Sequence, residues 1–303
     1  MKYAEPVKPL IPSGWLRALL YCVTLLLSAT VIASIYLFRA NKKDLTLQSL
    51  YNDHDLLWLI EIVFFILVLL VTYVFRRWVD RKSIISIGLE WNKHGGEALA
   101  GLLFGIFIVC ASSLVLKGTD HLKWMDILFD PKTLFLGFGG IILVAFYEEI
   151  IFRGYILNNL MDSFPNWVAL IISSIVFIFH SAGNLGIGFF PLMNGLVMGL
   201  ILGLNYIYTR NLWFSICLHI AWNFMEGPIL GFPGYTSFPS LLQTEMKGDE
   251  NITGGLNGLE GSVILMAVSL LSLLFLYLIL RKKTQSRIST SSRSKIRSFP
   301  AKG

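Results

Sequence analysis

Residues 163–209 read SFPNWVALIISSIVFIFHSAGNLGIGFFPLMNGLVMGLILGLNYIYT, 47 positions without a single Asp, Glu, Lys or Arg. One bilayer crossing takes about 20 apolar residues of helix, so the run holds two. Ser181-Ala182-Gly183-Asn184, with Gly186, Gly188 and Pro191 behind it, supplies the residue types that break regular structure. Hydrocarbon offers the main chain no hydrogen-bond partners, so apolar runs of this length fold as helices. Working outward, residues 18–38 are uncharged, 56–75 carry only Glu61, and 98–116 carry none. Residues 133–147 are uncharged and run into Glu148 and Glu149, 211–225 form a shorter uncharged segment, and 261–280 a full one. The pattern predicts an all-α polytopic membrane protein with about eight transmembrane helices. The first run is too long for a signal-peptide core and no A-x-A site follows it, so it reads as a retained span.

Composition agrees. Of 303 residues, 55% are hydrophobic and 15% charged, against about 25% charged in a soluble domain, and mean hydropathy is +0.66. A disordered chain, an ordinary cytosolic enzyme and a nucleic-acid-binding domain are excluded. The net charge of +6 is local: residues 281–303 hold eight Lys and Arg and no acid, leaving 17 basic against 19 acidic elsewhere. The pI of 9.2 therefore belongs to a tail facing anionic lipid and not to a nucleic-acid surface. Four regions follow: N-terminal transmembrane helices over 1–125, a core over 126–228, a Gly- and Pro-rich extracytoplasmic loop with the last span over 229–283, and a basic, disordered tail over 284–303.

Lys and Arg next to the spans set orientation. Lys2, Lys8 and Arg17, then Arg76, Arg77, Arg81 and Lys82, then Arg281, Lys282 and Lys283 fall on one side, while Arg39, Lys42 and Lys43 fall on the other. The opposing 226–260 loop carries Glu226, Asp249, Glu250 and Glu260 against Lys247. Both termini are expected in the cytoplasm, with the chain in the cell membrane. Cys22, Cys110 and Cys217 all lie in apolar runs, where cysteine acts as a small hydrophobe.

Ionisable groups inside a membrane are expensive and call for a reason. Glu149 and Arg153 are four apart, acid first, the geometry of a helical ion pair. Glu148 points about 100° around the helix from Glu149 and has no local partner, so it is free for acid–base work. Its helix is expected from about 133 to 161, with a turn at Phe164-Pro165-Asn166. Glu148 lies 17 residues before Pro165 and His180 lies 15 after it, about 25 and 22 Å of helix. An antiparallel hairpin therefore sets the two at one depth, which favours a shared site over two unrelated core residues. His219 and Asn223, four apart, share a helix face, though they reach Glu148 only if their short helix starts deep. Gly195, Gly199 and Gly203 give the preceding helix a small-residue contact face, and its Asn194 and Asn205 could join the network. Glu61 has no matched partner and reads as structural or lipid-interfacial. Trp213 and Trp222 read as packing or interface anchors.

Glu148-Glu149-x-x-x-Arg153, His180 at the end of Ser173-Ser174-Ile175-Val176-Phe177-Ile178-Phe179-His180, and His219-x-x-x-Asn223 occur in that order. They resemble the CPBP family of membrane endopeptidases, which includes the CAAX prenyl protease 2 and bacteriocin-processing (Abi) proteins. Asn211-Leu212-Trp213 and Trp222-Asn223 add to the likeness, which covers residues 130–225. The family's second motif is FxxxH, whereas here Val176 stands four before His180 and Phe177 three before it.

The resemblance implies peptide-bond hydrolysis in the membrane, with peptide or membrane-protein substrates. In that reading Glu148 is general base on a water held with His180. His219 and Asn223 donate to the oxyanion, while Glu149 and Arg153 hold the helix and the Glu148 rotamer. A zinc site of His180, His219 and Glu148 stays open. The metal-free route is favoured, since Asn is a poor zinc ligand and the chain has no HExxH. Neither GxGD nor GxSG occurs. Two alternatives remain: a non-catalytic membrane protein such as a bacteriocin-immunity or scaffold factor, and a transporter. The transporter is disfavoured by the lack of an internal repeat.

Overall fold

The computed structural model describes residues 8–40, 54–185, 188–234 and 240–297. Lys2, Lys42, Lys43, Gly186 and residues 298–303 lie outside them. Eight helices of twelve residues or more are present among the described residues: α1 (Gly14–Ala40), α2 (His54–Val74), α3 (Gly95–Gly118), α4 (Pro131–Glu149), α5 (Asn166–Leu185), α6 (Phe189–Thr209), α7 (Trp213–Phe224) and α8 (Val263–Arg297). The chain is an all-α polytopic membrane protein. Six of the helices are long and apolar enough to cross a membrane. Within α5 the apolar stretch Asn166–Ser181 is shorter. The 12-residue α7 extends about 18 Å, less than a hydrocarbon core of about 30 Å.

Three helices run on through π turns: α2 through Phe75–Val79, α4 through Ile150–Leu157, and α7 through Met225–Ile229. The extension of α4, followed by Asn158–Leu160, ends it where the sequence indicated. Its start is set by Asp130, whose carboxylate accepts from the amide of Lys132 at 3.1 Å and the hydroxyl of Thr133 at 2.5 Å, with Pro131 in the first turn. These bonds, the Thr133 hydroxyl foremost, hold the Asp130 carboxyl below the usual aspartate range.

Some expectations need correcting. Ser181 to Asn184 are helical, so the α5–α6 break falls later, before Gly188 with its extended backbone. Residues 284–297, expected as disordered tail, continue α8 as helix, consistent with a stretch that has no Gly or Pro before Pro300. The 226–260 segment is not simply a loop. It carries β2 (Leu242–Met246), antiparallel to β1 (Leu122–Ile127), with Leu122 opposite Met246 and Ile127 opposite Leu242. Glu226, read as a loop charge, has no exposed surface.

Buried charge joins one end of the bundle. Arg17 of α1 bonds Asp80 at 2.9 Å and Asp162 at 2.7 Å, and Arg76 bonds Asp80 at 2.9 Å. Tyr155 donates to Asp80 at 3.3 Å and stacks on Tyr21 at 4.0 Å between centroids. Arg17 and Arg76, read as topology signals, are thus internal ion-pair partners linking α1, α2 and α4.

Close packing sets the depth of α7. A Cβ on Gly101 would stand 2.1 Å from the Phe214 carbonyl oxygen, and one on Gly105 2.6 Å from that of Leu218. Glycine at these α3 positions lets α7 lie backbone to backbone against it. At the start of α7, Asn211 accepts from the Trp213 amide at 3.0 Å and donates to the Glu90 carbonyl at 2.7 Å. The Gly101→Ala variant is expected to lower the melting temperature in detergent and to displace α7, because overpacking costs about 1–3 kcal/mol. Gly96→Ala, with nothing within 4 Å of its added Cβ, serves as control, and an equal effect of the two would refute the packing argument.

Candidate active site

The hairpin of α4 and α5 closes at the depth that residue counting gave. His180 Nε2 lies 3.2 Å from Glu148 Oε1. From the other side, His219 Nε2 lies 3.7 Å from Glu148 Oε2, beyond hydrogen-bond length. Glu148 is thus flanked by two imidazoles from two helices, and its side chain is 10% exposed. The ring of His180 is the open member, with 38% of its side chain exposed.

Adjacent Glu149 faces the other way, as the 100° step around a helix requires. Its Oε1 accepts from Arg153 Nη1 at 2.9 Å and faces His219 Nδ1 at 3.0 Å. An ionised carboxylate can only accept, so His219 carries a proton on Nδ1 and presents Nε2 toward Glu148. Arg153 Nη2 also donates to the Gly199 carbonyl at 3.2 Å, and its guanidinium lies 4.4 Å over the Phe177 ring, a cation–π contact. Glu149 and Arg153 are fully buried, so their mutual neutralisation is what makes the pair tolerable inside the bundle.

Local sequence explains the positioning. The π stretch Ile150–Leu157 follows the two glutamates directly, and such turns leave carbonyls to be satisfied from outside. Ser173 of α5 donates to the Phe152 carbonyl at 2.9 Å. On α6, a Cβ on Gly199 would stand 2.9 Å from Ser174 Cβ, and one on Gly203 2.4 Å from Leu170 Cδ1. These two members of the expected small-residue face do bring α6 against α5. The displaced aromatic of the second motif has its place as well. Phe177 packs edge-on to Phe152 and His219, while His180 meets Phe152 at 5.2 Å.

Five of the six sequence-derived residues, Glu148, Glu149, Arg153, His180 and His219, therefore meet directly. The sixth, Asn223, is buried one turn beyond His219 on the same face. Asn194 and Asn205 do not join: Asn194 donates to the carbonyls of Glu260 and Ser262, and Asn205 to Thr209. Glu61, read as structural or lipid-interfacial, is half-buried, and its Oε2 has no hydrogen-bond partner among the described residues. Sequence reasoning also missed Glu226 and Glu260. Glu226 stands seven residues after His219, on the same helical stripe, and that spacing was the available signal. For zinc, the donor chemistry of His180, His219 and Glu148 is suitable in pairs. Among the described residues, however, no group of three or more His, Cys, Asp or Glu side chains is placed to hold a metal ion.

Fold and site together define a multi-pass membrane protein with a carboxylate–imidazole centre inside its helix bundle. Residues 130–225, spanning α4 to α7, match the family model described as type II CAAX prenyl endopeptidase Rce1-like, so this segment of the chain is similar to that family. No curated protein and no solved structure matches the chain.

Removing Arg153 strands Glu149 in a dry interior. The Arg153→Met variant is expected to lose about 3–5 kcal/mol of stability, read as reduced monodisperse yield and melting temperature in detergent. Arg153→Lys should rescue only partly, since lysine lacks the planar fork that spans Glu149 and Gly199. Full rescue by lysine would show that charge alone matters.

Proposed function

We propose that the protein is an intramembrane endopeptidase that hydrolyses peptide bonds of peptide or membrane-protein substrates with a water activated by Glu148. The observation that carries this reading is the engagement of one buried carboxylate by His180 at 3.2 Å and His219 at 3.7 Å within the family-matched segment. The half-open His180 supplies the route by which water and substrate reach Glu148.

In the mechanism, a water held between Glu148 and His180 gives a proton to the Glu148 carboxylate as its oxygen bonds to the scissile carbonyl carbon. His219, held by Glu149 through Nδ1, offers Nε2–H in its doubly protonated form to the resulting oxyanion. The side-chain amide of Asn223, one helical turn beyond His219, is the second donor. Each such donor contributes about 3–4 kcal/mol to the transition state. The carbon–nitrogen bond then breaks, and the proton on Glu148 passes to the leaving amine. Arg153 does not touch the substrate; it fixes Glu149, and Glu149 fixes the tautomer and tilt of His219. The Lys and Arg distribution along the chain supports cytoplasmic termini in a cell membrane, and the family's substrates make a prenylated C-terminal peptide one candidate.

Purified protein in detergent, given a quenched fluorescent peptide library, tests the reading. Glu148→Gln and His180→Ala are each expected to lower kcat/KM by about 100-fold or more, while KM for binding-limited peptides changes little. Near-normal cleavage by Glu148→Gln would sink the mechanism. A chelator should leave cleavage intact; loss with chelator and recovery with zinc would instead make His180 and His219 metal ligands.

A further inference from the structure

Between α3 and α4 the chain forms a strand that carries apolar side chains on its open side. α3 ends at Gly118, β1 occupies Leu122–Ile127 and α4 begins at Pro131, so three residues join the strand to each helix. Three residues reach at most about 11 Å. Both helices are long and apolar enough to cross a membrane, and Lys117 and Lys132 are the charges nearest this end of each. A strand of six residues is about 20 Å long. With both ends pinned at that level, it lies along the membrane surface and does not project from it. This end of the bundle is opposite the Arg17–Asp80–Asp162 cluster, because α4 starts here and finishes there.

The strand has two unlike sides. Leu122 is buried, and Trp124 is half-buried, with the Lys117 ammonium 3.9 Å from its ring. The paired strand is fastened to the bundle: the Leu241 amide donates to the Pro228 carbonyl at 2.7 Å, and the Thr244 hydroxyl donates to the Leu230 carbonyl. These bonds hold the ribbon of β1 and β2 against the π turn that extends α7. The ladder is irregular between Trp124 and Ile127, and such a bulge re-aims the side chains around it. There Met125, Ile127, Leu128 and Phe129 are 60%, 72%, 50% and 72% exposed. Phe135, early in α4 and 77% exposed, continues the apolar surface onto the open side of a span. Exposed Lys123, Asp126, Asp130 and Lys132 rim the patch, two of each sign. An exposed apolar patch with a polar rim marks a protein or membrane interaction site. The short tethers put this one at the level of the lipid, and its balanced rim suits zwitterionic headgroups. We propose that Met125–Phe129 is an interfacial anchor, seated in the headgroup layer with its apolar side chains in the upper acyl region, and that its partner is the bilayer itself. The anchor sets the height at which α4, the helix of Glu148, enters the membrane. It stands whether or not the protein cleaves peptides.

Wild-type full-length protein in phosphatidylcholine liposomes gives the first test. The liposomes include a phosphatidylcholine whose photoreactive diazirine sits beside the glycerol backbone, and adducts are mapped by mass spectrometry after irradiation. Adducts are expected on Met125–Phe129 as on Phe135, and not on Glu245 or Lys247, which pair with each other at 3.1 Å. Depth is read separately. The Ile127→Cys, Phe129→Cys and Lys247→Cys variants, each in a background with Cys22, Cys110 and Cys217 changed to alanine, carry a fluorophore on the new thiol. At residues 127 and 129 a lipid with a nitroxide near its headgroup is expected to quench about threefold or more better than aqueous iodide, as a depth of about 5–10 Å requires. At residue 247 the order reverses. Iodide quenching at 127 and 129 equal to that at 247, without lipid adducts, overturns the anchor, because the patch then faces water. Protection from lipid label and iodide alike overturns it in favour of a second copy or another protein as the occupant. The photolabelling uses no variant, so it decides the matter even where a cysteine variant misfolds.

Discussion

A single oxygen, Oε1 of Glu149, is the point on which the rest of the site depends. It is 2.9 Å from Arg153 Nη1 and 3.0 Å from His219 Nδ1. A charge in a dry helix bundle must be neutralised where it stands, so the pair Glu149–Arg153 fixes its own geometry. Arg153 then reaches Gly199 on α6 and lies over Phe177 on α5, while His219 brings in α7. Four helices are thereby held about one carboxylate. Its neighbour Glu148, rotated a step around the helix, is left facing the imidazoles without a fixed cation of its own. The two acids meet different partners because adjacency on a helix is what sends them in different directions.

This arrangement needs backbones to come closer than ordinary side chains permit. Gly101 and Gly105 on α3 admit α7, and Gly199 and Gly203 on α6 admit α5. The π stretch after Glu149 exposes a carbonyl that Ser173 satisfies. Association of helices in a membrane draws on such packing and hydrogen bonds, since lipid offers no hydrophobic penalty for staying apart. The far end of the bundle is tied by Arg17, Arg76, Asp80 and Asp162. The ion pairs about Asp80 and the ion pair about Glu149 share no residue among the described ones.

Much of the centre is legible in the order and spacing of residues. Pro165 fixes the turn, and counting residues on either side of it places Glu148 and His180 at one depth. The i, i+4 rule pairs Glu149 with Arg153. His219 is recognisable by motif, but its depth is not, because that depends on Gly101 and Gly105 of a helix more than 100 residues earlier. Glu226 is misjudged from spacing for a related reason. Charge in a sequence reads as surface or loop unless something shows what lies opposite, and Glu226 has no exposed surface.

The sequence by itself determined that the chain is helical and membrane-embedded, because uncharged runs of that length have no other way to satisfy their backbone. It also determined which acidic and basic residues pair within one helix, because helical periodicity is local. Only the tertiary structure decided which carboxylate meets which histidine and that the short α7 lies deep enough to complete the site. It alone buried Glu226, at the start of the 226–260 segment. Those outcomes are set by contacts between segments far apart in the chain, for which spacing along the chain carries no information.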